Sequence, residues 1–144
     1  MAKRGAGSRR KGAASEREMV REFRRAFGGE WARSKVGYAQ HDISAPDDFP
    51  FAIEVKNHDT ITTRHFFSPT SLLKSFWTQT KEQAEKVKKE PMLCVNADRH
   101  WYAIVLEGAV IETVPCAITN FDNDRVSVMP LDAFLDNAGG MYIG

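Results

Sequence analysis

The sequence predicts an α/β fold of the α+β kind, a mixed β-sheet flanked by helices in αβββαβ order, and three observations carry that prediction. Helical periodicity over residues 13–27 and again over 69–89 frames the first half of the chain. Between them Phe51–Asn57 (FAIEVKN) alternates strong β-formers. Residues 92–97 (MLCVNA) and 101–106 (WYAIVL) are short, nearly continuous apolar runs, as expected of central strands buried on both faces. With no internal repeat, this order makes one layered system and neither a bundle nor a barrel. At 144 residues and 42% hydrophobic content the chain has material for a single core.

Each element has local reasons. On a helical wheel started at Glu16, Val20, Phe23 and Phe27 fall within about 40° and Met19 within about 60°, an apolar stripe. Glu16 and Glu18 sit in the first turn, where the macrodipole favours acids, and Gly28-Gly29 ends the helix. Residues 33–39 (RSKVGYA) and 42–45 suit short strands, followed by Pro46-Asp47-Asp48-Phe49-Pro50 as a turn. With 51–57 they read as a hairpin or three-stranded meander. Residues 58–69 are polar and Thr-rich, a loop. The second helix, 69–89, aligns Leu72, Leu73, Phe76, Thr80, Gln83, Ala84 and Val87, has a Lys-rich end and is closed by Pro91. Beyond Gly108, residues 110–114 and 125–129 suit edge strands, and Pro130 starts a short helix ended by Gly139-Gly140.

The net charge of +1 hides a segregation. Residues 1–35 carry 11 Lys/Arg against 4 Asp/Glu, and the remainder carries 9 basic against 15 acidic groups. A basic end is the footprint of a polyanion partner, and nucleic acid is the favoured one. Residues 1–12 (MAKRGAGSRRKG), with five cations and no acid, read as a flexible arm ordered by phosphates, and 13–144 as one domain. A solubilising tail has the same composition. No apolar run approaches the roughly 20 residues of a membrane span, and the N-terminus lacks an apolar signal core. Cys94 and Cys116 lack zinc or disulfide spacing and read as reduced thiols, so the expected compartment is the cytoplasm.

The chemistry gathers around the hairpin. With the turn apex at Asp48, Asp42 lies opposite Glu54, about 5 Å away at Cβ, and Lys56 follows on the same face. Opposed carboxylates repel unless a cation lies between them. Glu16, at the centre of its helix's apolar stripe, is costly there unless neutralised, and points toward the same cluster. Oxygen ligands from Asp42, Glu54 and Glu16, without a Cys/His set, suit Mg²⁺, with Mn²⁺ as a substitute. Such an ion polarises a phosphoryl oxygen and activates water, with Lys56 orienting that water or offsetting transition-state charge. The expected reaction is metal-dependent phosphodiester hydrolysis. A surface hairpin on which Glu54 and Lys56 merely pair shows the same letters.

Asp42-Ile43 followed by Phe51-Ala52-Ile53-Glu54-Val55-Lys56-Asn57 resembles the core of PD-(D/E)XK nucleases. Arg10-Lys11-Gly12, then Glu16-Arg17-Glu18-Met19-Val20, resembles the opening of Holliday-junction resolvases of the archaeal and phage type. The resemblance covers roughly residues 10–106. It implies a restriction-endonuclease-like core, Mg²⁺ dependence, a homodimer, and paired nicks across a four-way DNA junction. By position it makes Glu16, Asp42, Glu54 and Lys56 catalytic, with Asp42 and Glu54 binding metal directly and Glu16 directly or through water. His41, not proline, precedes Asp42, and the literal Pro46-Asp47 pair falls in the turn, with Asp47 a minor alternative to Asp42.

Arg9, Arg10, Lys11 and Arg17 are candidate DNA contacts. Arg33, Ser34 and Lys35 suit either the DNA path or a strand edge kept soluble by charge. Gln79, beside Phe76-Trp77-Thr78, suits contact with a metal-bound water or a phosphate, or equally a solvated helix edge. His58 stands within reach of a phosphate, and the other histidines read as loop residues. Phe66, Phe67, Phe76 and Trp77 exceed one helix stripe, and suit either core or a two-fold dimer seam. The expected function is a Mg²⁺-dependent junction-resolving endonuclease. Its rivals are a restriction-like, flap or repair nuclease and a non-catalytic nucleic-acid-binding module.

Overall fold

The computed structural model describes residues 2–34, 42–110 and 114–138, with side chains over 11–34, 42–110 and 114–137. Helix α1 (Ala2–Phe27) ends where Gly28 turns to a φ of 69° and donates its N–H to the Arg24 carbonyl at 2.8 Å. Its buried residues are Ser15, Met19, Val20 and Phe23. A two-residue antiparallel ribbon, β1 (Ala32–Arg33) and β2 (Ile43–Ser44), precedes β3 (Phe51–Asn57). Helix α2 (Ser71–Val87) is capped by the Thr70 hydroxyl, which accepts from the Leu73 N–H, and stops at Lys88 in the left-handed region. Strands β4 (Glu90–Ala97), β5 (His100–Leu106), β6 (Ala117–Phe121) and β7 (Asp124–Pro130) follow, then helix α3 (Leu131–Ala138).

The main sheet runs β3-β4-β5-β7-β6, parallel between β3 and β4 and antiparallel elsewhere. A parallel pair needs a crossover, and α2 supplies it. The β4–β5 hairpin needs only Asp98 and Arg99, both at positive φ, which matches the sheet twist in a two-residue loop.

Strand alternation sorts the core into two layers. Phe51, Ile53, Val55, Met92, Cys94, Ala103 and Val105 face α1 and α3, where Met19, Phe23 and Phe134 meet them. Leu93, Val95, Ile104, Val126 and Val128 pack with Leu73 and Trp77 of α2 on the other side. An aromatic knot closes the first layer, with Trp31 and Phe49 centroids 4.9 Å apart. Among the described residues no helix is long and apolar enough to cross a membrane. The fold is therefore α+β, a mixed five-stranded sheet flanked by helices, as in a restriction-endonuclease-like core.

Several expectations are revised. Helix α1 begins at Ala2, not at 13; its alanines, lysines and arginines propagate helix, and no proline stops it. The expected meander is split. β2 pairs with β1, and β3 joins the main sheet because Pro46 and Pro50 have no N–H to extend a β2–β3 ladder. Residues 35–41, with Lys35 and His41, lie outside the described residues, as do the side chains of Arg9 and Arg10. The strand expected at 110–114 falls mostly on residues 111–113, which lie outside the described residues, and a strand not expected from the sequence forms at Ala117–Phe121. β7 lies inside the sheet between β5 and β6. The buried stripe of α2 is Leu73, Trp77, Thr80 and Ala84, with Trp77 in the place expected for Phe76.

Candidate active site

The site forms at the open edge of β3. Among the described residues that strand is flanked in the main sheet only by β4, and the segment at Asp42 lies along its other side. The Asp42 N–H donates to the Ile53 carbonyl at 3.1 Å, and Asp42 Oδ2 accepts the Val55 N–H at 2.8 Å. The two bonds bracket Glu54. The hairpin thus brings Asp42 beside Glu54 as expected, but through one backbone bond and the aspartate's own side chain, not through a ladder pair.

Glu54 is only 2% exposed, and its Oε2 is buried without a hydrogen-bond partner. Burial, then the charge of Asp42, push its carboxyl up to about 8. Lys56 opposes that rise by its positive charge, and Glu16 adds to it. A carboxyl with a buried, unpartnered oxygen beside another acid is costly as an anion unless it is protonated or a cation neutralises it. The pair Asp42 and Glu54 supplies hard oxygen donors, which fit Mg²⁺ or Mn²⁺. Among the described residues no three acid, histidine or cysteine side chains are grouped to hold an ion.

Glu16 stands apart. Ser15, 4% exposed, takes the inward position on α1, and its hydroxyl accepts from Asn57 Nδ2 at 2.9 Å. Glu16 is half-buried at the flank, its Oε1 accepting from Arg33 Nε at 3.0 Å. Burial raises its pKa, the Arg33 hydrogen bond opposes that, and Asp42 raises it further. The expectation that Glu16 occupies the stripe centre is corrected: α1 packs on the face of Ile53 and Val55, whereas Glu54 and Lys56 point to the α2 face. Glu16 therefore approaches the pair around the strand edge.

The Lys56 ammonium lies 5.1 Å from the centroid of the Phe76 ring, and His58 lies 6.3 Å from the same ring. Thr60 Oγ1 is 2.9 Å from His58 Nδ1. Lys11 pairs with Asp59, placing the basic stretch of α1 next to the loop that leaves β3. Arg17 is exposed, and Asp47 is exposed in the turn, away from the buried pair. Gln79 is half-buried on α2, while Gln83 carries a buried, unpartnered Oε1. Phe66 and Trp77 are core, and Phe67 is 60% exposed. The Phe76–Lys56 and Arg33–Glu16 contacts are the ones sequence reading missed. Only the adjacency Phe76-Trp77 signalled the first, because two neighbouring aromatics cannot both face the core of one helix.

The model of the family described as phage putative PDDEXK endonuclease matches residues 7–129. No curated protein and no solved structure matches the chain.

Proposed function

The chain belongs to the family of phage PDDEXK endonucleases and is a nuclease, and from that premise we propose a Mg²⁺-dependent, structure-selective DNA endonuclease that resolves four-way junctions. The observation that carries the metal-dependent chemistry is the buried Glu54 carboxyl with an unpartnered oxygen, braced against Asp42. Asp42 and Glu54 would hold the ion, and Glu16 would reach it through water once released from Arg33. Bound there, Mg²⁺ or Mn²⁺ supplies Lewis acidity and lowers the pKa of water.

The chain's own residues do the rest. A cation held there would favour the ionised Glu54 carboxylate, offsetting the burial and the Asp42 charge that raise its pKa. The Lys56 ammonium orients the attacking water and offsets negative charge growing on the phosphoryl oxygens. Lys11, Arg17 and the cations of residues 1–12 contact phosphates, which adds affinity without sequence preference. The junction preference rests on the Arg10-Lys11-Gly12 and Glu16-Arg17-Glu18 resemblance to resolvases, and a two-fold dimer would offer one site to each of two opposed strands.

A fixed four-way junction and a linear duplex of matched sequence, incubated with Mg²⁺ and with EDTA as control, test this. Symmetric nicks confined to the junction are expected. Equal cutting of the duplex would identify a general nuclease, and binding without cutting under any divalent ion would leave only a binding module.

A further inference from the structure

The stripe of α2 has room for one large aromatic, and the chain places two in succession. Trp77 takes the buried position, its indole N–H donating to Asp124 Oδ2 at 2.9 Å. Phe76, about 100° further back around the helix, is left half-buried on the rim beside β3. Its ring receives the Lys56 ammonium at 5.1 Å and the His58 ring at 6.3 Å. His58 follows directly on the end of β3, and one ring meets both it and Lys56.

The charge of Lys56 acts on both Glu54 and Glu16. It nevertheless enters none of the ion pairs among the described residues. A flexible four-carbon stem would let the ammonium settle on the nearest carboxylate. The negative face of an aromatic ring attracts it from the other side, and an aliphatic side chain would not. We propose that Phe76 is a positioning residue whose ring holds the Lys56 ammonium off the Asp42–Glu54 pair. The amine is then presented to the reacting phosphate and its water, not spent in an ion pair. This rests on the catalytic reading of Lys56 given above.

Phe76→Leu keeps an apolar side chain at the rim without a ring, and Phe76→Trp keeps a ring with a stronger field. On the DNA that the parent protein cleaves fastest, Phe76→Leu should lower kcat about tenfold while KM changes by less than about twofold. Phe76→Trp should stay within about twofold of the parent in both constants. In metal-free protein, the Lys56 side-chain protons should show an upfield ring-current shift in ¹H–¹³C spectra. That shift should vanish in Phe76→Leu and persist in Phe76→Trp. Unchanged kcat in Phe76→Leu beside an inactive Lys56→Ala overturns the role of Phe76 alone. Equal kcat losses in both Phe76 variants overturn it too, as does a Lys56 shift that survives the loss of the ring. A fully active Lys56→Ala overturns the reading of Lys56 itself, and the proposal with it.

Discussion

Glu54 and Asp124 are both acids held against the α2 side of the sheet, and the protein treats them in opposite ways. Asp124 accepts from Lys81 Nζ at 2.6 Å and from the Trp77 indole at 2.9 Å, and the Lys81 bond leads the causes that hold its carboxyl below the usual range. Glu54 has an unpartnered oxygen and an acid for a neighbour, and its carboxyl is pushed up to about 8. One acid fastens α2 to β7. The other stores an electrostatic cost that a cation would relieve. A satisfied carboxylate belongs to the architecture, and an unsatisfied one in a cleft is a candidate for function.

The sharpest way to break this contrast is on activity. Asp42→Asn and Glu54→Gln should each lower cleavage by roughly 10³-fold or more, with DNA affinity unchanged or higher, because negative charge near phosphates is removed. Gel-based cleavage beside a binding titration measures both, and unchanged turnover in either variant refutes the site. Asp124→Asn should leave cleavage near that of the parent, since it touches only the α2 anchor.

Stability against pH separates the same two groups, and their signs are opposite. In metal-free protein the folded state keeps the Glu54 proton up to about 8, while the unfolded chain loses it near the ordinary glutamate value. Stability should therefore fall as pH rises through that window, by a few kcal/mol at most on the basis of about 1.4 kcal/mol per unit. Glu54→Gln should abolish that fall and be the more stable protein at its upper end. Urea titrations at a series of pH values check this, and parallel curves for parent and variant would contradict the buried, unpartnered state.

The smallest effect belongs to Asp124. Its depressed pKa contributes stability above the unfolded aspartate value, and that stability is lost as pH falls through the folded value. Asp124→Asn should cost about 1 kcal/mol near neutrality, partly exposed pairs being weak, and should flatten the acid limb. The Trp77 fluorescence should report the loosened contact with the indole.

Much of the architecture was legible beforehand. The apolar runs of β4 and β5, the alternation of β3 and the periodicity of α1 and α2 each follow from side chains seeking one buried face. Asp42, Glu54 and Lys56 were legible too, through their short separation across a proline-marked turn. Glu16 does lie near the cluster, but at its rim and not at the centre of the stripe, because a wheel ranks angles but not packing depth. The interior selected the slightly rotated face of Ser15, Met19 and Phe23, leaving Glu16 to Arg33 at the flank. Periodicity alone cannot choose between two adjacent aromatics, so the sequence leaves Phe76 as either core or a dimer seam.

The residue order by itself determined which segments become helix and strand, which acids lie near one another, and where positive charge collects. These depend on local period and short loops. Tertiary structure alone decided that, among the described residues, β3 is flanked in the main sheet only by β4, that one Glu54 oxygen is sealed without a hydrogen-bond partner, and that Lys56 rests on a ring from the far side of the crossover. Burial and partnership are set by chain segments that meet only in the folded state, so no local pattern encodes them.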